Sequence, residues 1–446
     1  VNISSEGSSE THPVNEALTI RKVAFRIIPL VALLYFMNCI DRANVGMAAL
    51  TMNKALALSS TAFGIGSGIF FFGYVFFEIP SNIILERTGA RFWISRILIV
   101  WGLVSAANGF VVGPLSLYFT RFLLGVTEAG FFPGMVFYLT LWFPAAYRAR
   151  MIGMFMVAIP LASALGSPLS GWILSSFNGW HGLGGWQWMF VFEGLPTMLL
   201  GIGCLFWLTD RPAKAQWLSP AERDWLEGVL LRERQKSEAV RTYSLFQALT
   251  NARVLLLCVL FFFICAGLYG SVFWIPQLVK TFVASNVWVG VIVSIPYFAA
   301  AIAMCLWSRH SDRSGERIWH LIACTSLGAI GFLVTGFYLN TPIIAVCGLA
   351  MACMGIYSTY PIFWTLPTSF LTGRAGAGAI AWITAFASSS GILAPAAVGW
   401  SKDLTGNFSA AMFGLAGAMV IASVLCLAFK TLHTRIVRKA LSVLPT

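Results

Sequence analysis

Charge is what this chain has least of. Asp, Glu, Lys and Arg make up 10% of its 446 residues, against roughly 25% in soluble globular proteins. Hydrophobic residues reach 58%, so a soluble domain is excluded. Cysteine is sparse and scattered: the nine, from Cys39 to Cys426, fall inside apolar runs, and no close pair has metal-ligand spacing. They read as small packing residues, and no metal site is expected. None of the five histidines sits in the middle of an apolar run. With no His-Glu-x-x-His, no Gly-x-Ser-x-Gly and no His or Cys cluster, a membrane enzyme is not supported and no cofactor is expected. Residues 1–20 lack the short apolar core of a cleaved signal, so the first apolar run is expected to direct insertion.

What the chain does have is long apolar runs. A membrane span needs about 20 mostly apolar residues. Twelve runs qualify: 27–50, 62–85, 92–112, 115–141, 151–176, 188–208, 253–279, 287–307, 318–338, 342–370, 377–399 and 408–429. Between the second and third stands Glu86-Arg87-Thr88-Gly89-Ala90-Arg91, and between the eighth and ninth Asp312-Arg313-Ser314-Gly315-Glu316-Arg317. Both read acid-Arg-polar-Gly-x-Arg. A polar hexapeptide recurring at the same place in two apolar halves marks a duplicated membrane unit, the usual build of a secondary transporter. The fold expected is an all-α integral membrane protein, twelve transmembrane helices in two pseudo-symmetric six-helix bundles.

The organisation follows: a tail at 1–25, one bundle at 26–209, a linker at 210–250, a second bundle at 251–430 and a tail at 431–446. Ser219-Pro220-Ala221-Glu222 in the linker has the form of a helix start, and a surface helix is expected after it. The net charge of +12 could suggest nucleic acid, but its placement argues otherwise. With both termini inside, 24 of the 29 Lys and Arg fall in the cytoplasm, Lys54, Lys280 and Lys402 outside, and Arg42 and Arg121 within the membrane. This is the positive-inside pattern. The basic charge orients the chain in a lipid bilayer, with no nucleic acid as partner.

Two tempting motifs have plain readings. The Trp- and Gly-rich stretch 178–188 is an interfacial anchor. Gly376-Ala377-Gly378-Ala379-Ile380-Ala381 imitates a dinucleotide fingerprint but opens a span with no preceding strand, so its small residues serve helix packing.

Four charges lie deep in spans, where each costs at least about 2.5–3.5 kcal/mol and is a functional hypothesis by default. They are Asp41 and Arg42 in the first span and Arg121 and Glu128 in the fourth. At 1.5 Å per residue Arg121 is about 9 Å deep and Glu128 near the middle. Seven residues apart, they share a helix face. Static buried ion pairs are the plain alternative, but such pairs often give no net stability. A carboxyl in a low-dielectric site can take up a proton near neutrality, and an arginine beside it offers a planar fork to a substrate carboxylate. Charged, the acid competes for the arginine; protonated, it releases the arginine to the anion. Glu78 and Glu193 lie nearer span ends and are read as structural.

The second half carries no deep charge in the corresponding spans. It offers Tyr269, Trp274, Gln277, Tyr357, Ser358, Tyr360, Phe363 and Trp364, some of which would face a cavity and suit a flat or aromatic substrate body.

At these residues a resemblance is clear. The duplicated loop resembles the signature of the major facilitator superfamily. Asp41-Arg42-Ala43-Asn44, the run from Arg121 to Ala129, Trp142-Phe143-Pro144 and the run from Trp188 to Gly194 resemble its anion:cation symporter family. Arg148-Ala149-Arg150, Gly185-Trp186-Gln187-Trp188, Ile362-Phe363-Trp364-Thr365 and Lys402-Asp403-Leu404-Thr405-Gly406 resemble the 4-hydroxyphenylacetate permease branch, related to tartrate and phthalate carriers. The resemblance implies proton-driven uptake of an organic carboxylate, possible aromatic acids among them, through the bacterial inner membrane, with both termini cytoplasmic and a monomer as the unit. It assigns Asp41 and Glu128 to proton coupling, Arg42 to the substrate or a proton-linked pair, Arg121 to support of that network, and Tyr74 to the cavity wall. Tyr269, Tyr357, Trp364 and Thr384 complete the expected substrate set. The loops supply a cytoplasmic gate from Glu86, Arg87, Gly89, Arg91, Asp312, Arg313, Gly315 and Arg317. The chain departs from the pattern at Thr384 and Ser388, where relatives often carry Asn, and at Asn82 and Glu86 in the first loop copy. An anion exchanger or uniporter without proton coupling is the main rival, and a transport-fold nutrient sensor a remote one.

Overall fold

The computed structural model describes residues 15–156, 158–239, 250–368 and 373–441, and every regular element among them is helical. The first half contains α1 (Glu16–Ala55), α2 (Ser60–Thr88), α3 (Ala90–Ala107), α4 (Pro114–Glu128), α5 (Phe131–Thr140), α6 (Ala145–Met156), α7 (Ala158–Ser176) and α8 (Gly185–Trp207). The linker forms α9 (Pro220–Ala239). The second half contains α10 (Ala252–Val272), α11 (Ile275–Lys280), α12 (Asn286–Ser314), α13 (Ile318–Phe337), α14 (Pro342–Phe363), α15 (Thr365–Thr368), α16 (Gly373–Ser388), α17 (Ser390–Thr405) and α18 (Ser409–Leu441). Local chemistry sets several starts. Asn15 caps α1 by accepting from the Leu18 amide at 3.2 Å, Ser59 caps α2 through Ala62 at 3.0 Å, and Asn251 caps α10 through Arg253 at 2.9 Å.

Among the described residues eleven helical stretches are long and apolar enough to cross a bilayer. The twelfth expected span, 151–176, falls on α6 and α7, and residue 157 between them lies outside the described residues. Its composition is diluted by Ser163, Gly166, Ser167, Ser170 and Gly171 because α7 packs closely on α12. A side chain on Gly171 would strike the Asn286 carbonyl, and one on Gly290 the Ser167 carbonyl. Small residues permit such approach where lipid gives no hydrophobic drive to associate.

Spans expected as single helices are broken. The fourth stops at Glu128, turns at Ala129 and restarts after Gly130 at φ 86°. The seventh breaks between α10 and α11, the tenth between α14 and α15, and the eleventh between α16 and α17. Transporters use such interruptions to present backbone and side-chain groups within the membrane.

The repeated hexapeptides sit on the face where α1 begins and α18 ends, here termed the basic face. Their glycines have a common reason: Gly89 ends α2 at φ 92° and Gly315 ends α12 at φ 67°, a region disfavoured for other residues. The last Arg of each copy is held inside its own half. The Arg91 amide donates to Asp210 at 2.9 Å and its side chain to the Leu205 carbonyl. Arg317 donates to Asp312 at 2.7 Å and to Ser311 at 3.0 Å. Glu86, Arg87 and Arg313 are exposed.

The halves meet at the opposite face. There α2 packs along α17, α7 along α12, and the end of α1 against α11. Gly64 and Gly68 of α2 fit against the Pro395 and Ile392 carbonyls. Asp403 of α17 caps α2, accepting from the Ser60 amide at 3.1 Å, the Thr61 amide at 2.7 Å and the Thr61 hydroxyl at 2.6 Å. An anion at a helix N-terminus satisfies free amides and the dipole together.

Candidate functional site

Between the halves lies a cavity of about 110 Å³, with Tyr35, Asn38 and Arg42 of α1, Phe70 and Phe71 of α2, and Arg121 of α4 on one side. Tyr269, Phe273, Tyr357 and Tyr360 of the second half face them. Asn38 and Arg42 are one helical turn apart and so share a face.

Glu128, fully buried at the end of α4, accepts from Arg42 Nε at 2.5 Å and from Asn38 Nδ2 at 2.7 Å, both at Oε1. Its Oε2 has no hydrogen-bond partner. Tyr74 lies against Arg42, the guanidinium carbon 4.7 Å from the ring centroid. Phe70 receives both guanidinium groups, Arg42 and Arg121, at 5.3 Å. Ring faces attract cations, more strongly where water is excluded.

Arg121 is the exception in this site. It is 1% exposed, its Nε and Nη1 have no hydrogen-bond partner, and no ion pair among the described residues includes it. The sequence placed Arg121 and Glu128 on one helix face. The structure gives Glu128 to Arg42 and leaves Arg121 beside the cavity with an aromatic face and no carboxylate.

Asp41 belongs to another cluster. It is 1% exposed and does not line the cavity. Its Oδ1 accepts from Ser105 of α3 at 3.2 Å and Asn44 at 3.4 Å, and its Oδ2 from Thr197 of α8 at 3.2 Å. The adjacent residues Asp41 and Arg42 thus point to different places.

Of the other expected substrate residues, Tyr269 and Tyr357 line the cavity. Tyr74 lies behind Arg42 rather than on the wall. Trp364 is outside this cavity's lining: it packs edge-on against Phe261 at 5.1 Å, where α14 ends beside it and turns the ring into an aromatic cluster. Thr384 is also outside that lining, its hydroxyl donating to the Ile380 carbonyl at 2.9 Å, one turn back on its own helix. Glu193 also departs from expectation: at 2% exposed it is closed off from interfacial water.

Asn38, Phe70 and Tyr35 were missed in the sequence. Asn38 had a readable signal, an amide one turn before a deep arginine in an apolar run. Phe70 and Tyr35 had none, since aromatic residues are abundant in every span.

Comparison with known proteins fits this geometry. Residues 31–395 match the family model described as Major Facilitator Superfamily. A relative from Agrobacterium vitis named "Putative tartrate transporter" is 46% identical over 412 residues, covering 92% of this chain and 91% of its own. A "Quinolone resistance transporter" of Acinetobacter baumannii is 38% identical, covering 91% and 93%. Among solved structures, the partially occluded inward-open xylose transporter XylE from E. coli superposes with a TM-score of 0.72 at 16% identity, covering 92% of this chain and 98% of that one. At that identity the likeness speaks for the fold alone.

Proposed function

This chain belongs to the major facilitator superfamily of membrane transporters, and from that premise we propose that it carries a small organic carboxylate, coupled to protons, by alternating access. The observation that carries this reading is Arg121, a buried guanidinium at the cavity without a carboxylate of its own. Arginine stays charged at any physiological pH, and its fork matches a carboxylate. An acid entering the cavity supplies the missing partner.

Arg42 is the second anion contact, governed by Glu128. With Glu128 ionised, Arg42 is held at 2.5 Å. A proton on Glu128 cancels that attraction and frees the guanidinium for the substrate. Proton and anion therefore enter the cavity together. Two guanidinium groups about one aromatic ring suit a molecule with two carboxylates, and the hydroxyls of Tyr269, Tyr357 and Tyr360 suit a hydroxylated one. Tartrate, which stands in the name of the Agrobacterium vitis relative, is a molecule of that description. A second reading, an aromatic acid such as 4-hydroxyphenylacetate, is favoured by the Phe70, Phe71 and Phe273 wall.

In this reading the basic face is cytoplasmic in a bacterial inner membrane and both termini lie there. The halves 26–209 and 251–430 rock about the cavity, and the closed opposite face makes this the inward-facing state. The loops at Glu86–Arg91 and Asp312–Arg317 are latches that engage when the cavity turns outward. One chain suffices, since both walls of the cavity come from it.

The test is uptake of radiolabelled L-tartrate and 4-hydroxyphenylacetate by purified protein in proteoliposomes, with and without an imposed pH gradient. Accumulation of one of them above equilibrium, acidic side to alkaline, supports symport. Uptake indifferent to the gradient but accelerated by internal substrate overturns coupling in favour of exchange. No uptake of either acid overturns the substrate assignment.

A further inference from the structure

Glu193 of α8 is 2% exposed. Its Oε1 accepts from the Ser170 hydroxyl of α7 at 2.6 Å, and its Oε2 has no partner. Asn44 of α1 donates to Asp41 Oδ1 at 3.4 Å and, with Ser170, lines a small cavity. Thr197, one turn along α8 from Glu193, donates to Asp41 Oδ2. Asp41 is therefore joined to Glu193 through Thr197, whose hydroxyl also lies 3.3 Å from the Glu193 backbone carbonyl.

Neither takes part in an ion pair among the described residues. The other charges that bear on the pair are Arg121 and Glu128 of α4, neither in hydrogen-bond contact with it, while α3 and α7 present the hydroxyls of Ser105 and Ser170. Two ionised carboxylates buried on packed helices without an ion-pair partner repel each other and lose hydration that a few hydroxyls only partly replace. Such groups titrate as a unit.

A second cavity, apolar over most of its wall but with a polar edge, lies beside Asn44 and Ser170. It has about 10 Å³, room for about one water, and is lined by Asn44, Ser163, Ser167, Ser170 and Tyr297. Ala43, Ser163 and Val272 also line the central cavity. Hydroxyls both donate and accept, so this wall can pass a proton between the central cavity and the carboxyl pair.

We propose that Asp41 and Glu193 form a two-carboxyl proton-binding site, distinct from Glu128, that exchanges its proton with the central cavity past Ser170 and Asn44. The proton adds to a carboxylate oxygen of the pair and leaves from it; only O–H bonds are made and broken. Glu193 is thereby a working carboxyl and not a structural one. Its role in transport rests on the symport reading above; its protonation does not.

Infrared difference spectroscopy of purified protein in lipid, stepped from roughly pH 8 to roughly pH 5, the range around carboxyl and imidazole titration, tests it without any substrate. The expected result is a protonated-carboxyl band that disappears in Glu193→Gln and is altered in Asp41→Asn. A band set identical to wild type in Glu193→Gln overturns the proposal. Where Glu193→Gln does not fold, Ser170→Ala serves: removing the donor to Oε1 should shift the Glu193 band, and an unshifted band overturns the site. Loss of the band together with gradient-independent uptake in wild type leaves the proton site standing and removes symport. Gradient-driven uptake in wild type with an unchanged band in Glu193→Gln does the reverse.

Discussion

Arg42 and Arg121 stand at the same distance, 5.3 Å, from the ring of Phe70, yet only Arg42 has a carboxylate. Two like charges about one ring are tolerable while Glu128 neutralises one of them. The uncompensated charge is Arg121, and an anionic substrate would balance it.

Replacing Arg121 by Ala should therefore weaken substrate binding most. A hydrogen bond to a charged group contributes about 1.5–3 kcal/mol, so affinity should fall at least about tenfold. Scintillation proximity binding of labelled tartrate measures it. Arg121→Lys should recover only part, lacking the fork. Wild-type affinity in Arg121→Ala would falsify direct recognition.

Glu128→Gln should abolish accumulation driven by a pH gradient, since the amide cannot gain or lose the coupling proton. Counterflow should persist at a reduced rate, because Arg42 is left permanently free. Uphill uptake that still follows the gradient would remove Glu128 from the coupling mechanism.

Asp403→Ala should loosen the closed face. The carboxylate accepts three hydrogen bonds from Ser60 and Thr61, and an N-cap residue contributes about 0.5–2 kcal/mol. The open-to-closed ratio at that face should rise by roughly two- to thirtyfold. Spin-label distances between the adjacent ends of α2 and α17 report it, and an unchanged distribution would show that glycine packing alone holds the seam.

The loop at Glu316 should weaken in acid. Partial burial pushes the Glu316 carboxyl up, but the Trp319 amide, the His320 imidazole and the His320 amide outweigh it and hold it below the usual range. A carboxyl lowered in the folded state stabilises fully above its unfolded value, about 4.3, and that stabilisation is lost as pH falls through the folded value. Hydrogen exchange of the Trp319 and His320 amides, corrected for intrinsic rates, should stay flat to about pH 4 and rise below it. Glu316→Gln should exchange faster at neutral pH and lose this dependence; matching profiles would exclude Glu316 as the cause.

Much of the molecule was legible from residue order. Gly89 and Gly315 announced the repeat, and both occupy the positive φ that their place after a helix requires. The Ser219-Pro220 start of α9 was visible as a cap. The break after Glu128 was not, because Gly125, Ala129 and Gly130 read equally well as packing residues in a continuous helix. That Trp364 and Thr384 lie outside the central cavity's lining was hidden for a related reason: a span position does not say which way a residue turns where helices break.

By itself the sequence determined that the chain spans a membrane, that it is a duplicated unit, and that Asp41, Arg42, Arg121 and Glu128 are buried. Apolar length, repeat and charge placement are local properties of the chain. Only the tertiary structure decided that Glu128 joins Arg42, that Asp41 joins Ser105 and Thr197, and that Arg121 faces Phe70 without an ion pair. Those choices depend on distances of a few ångströms between helices far apart in sequence, where electrostatic and hydrogen-bond energies change steeply.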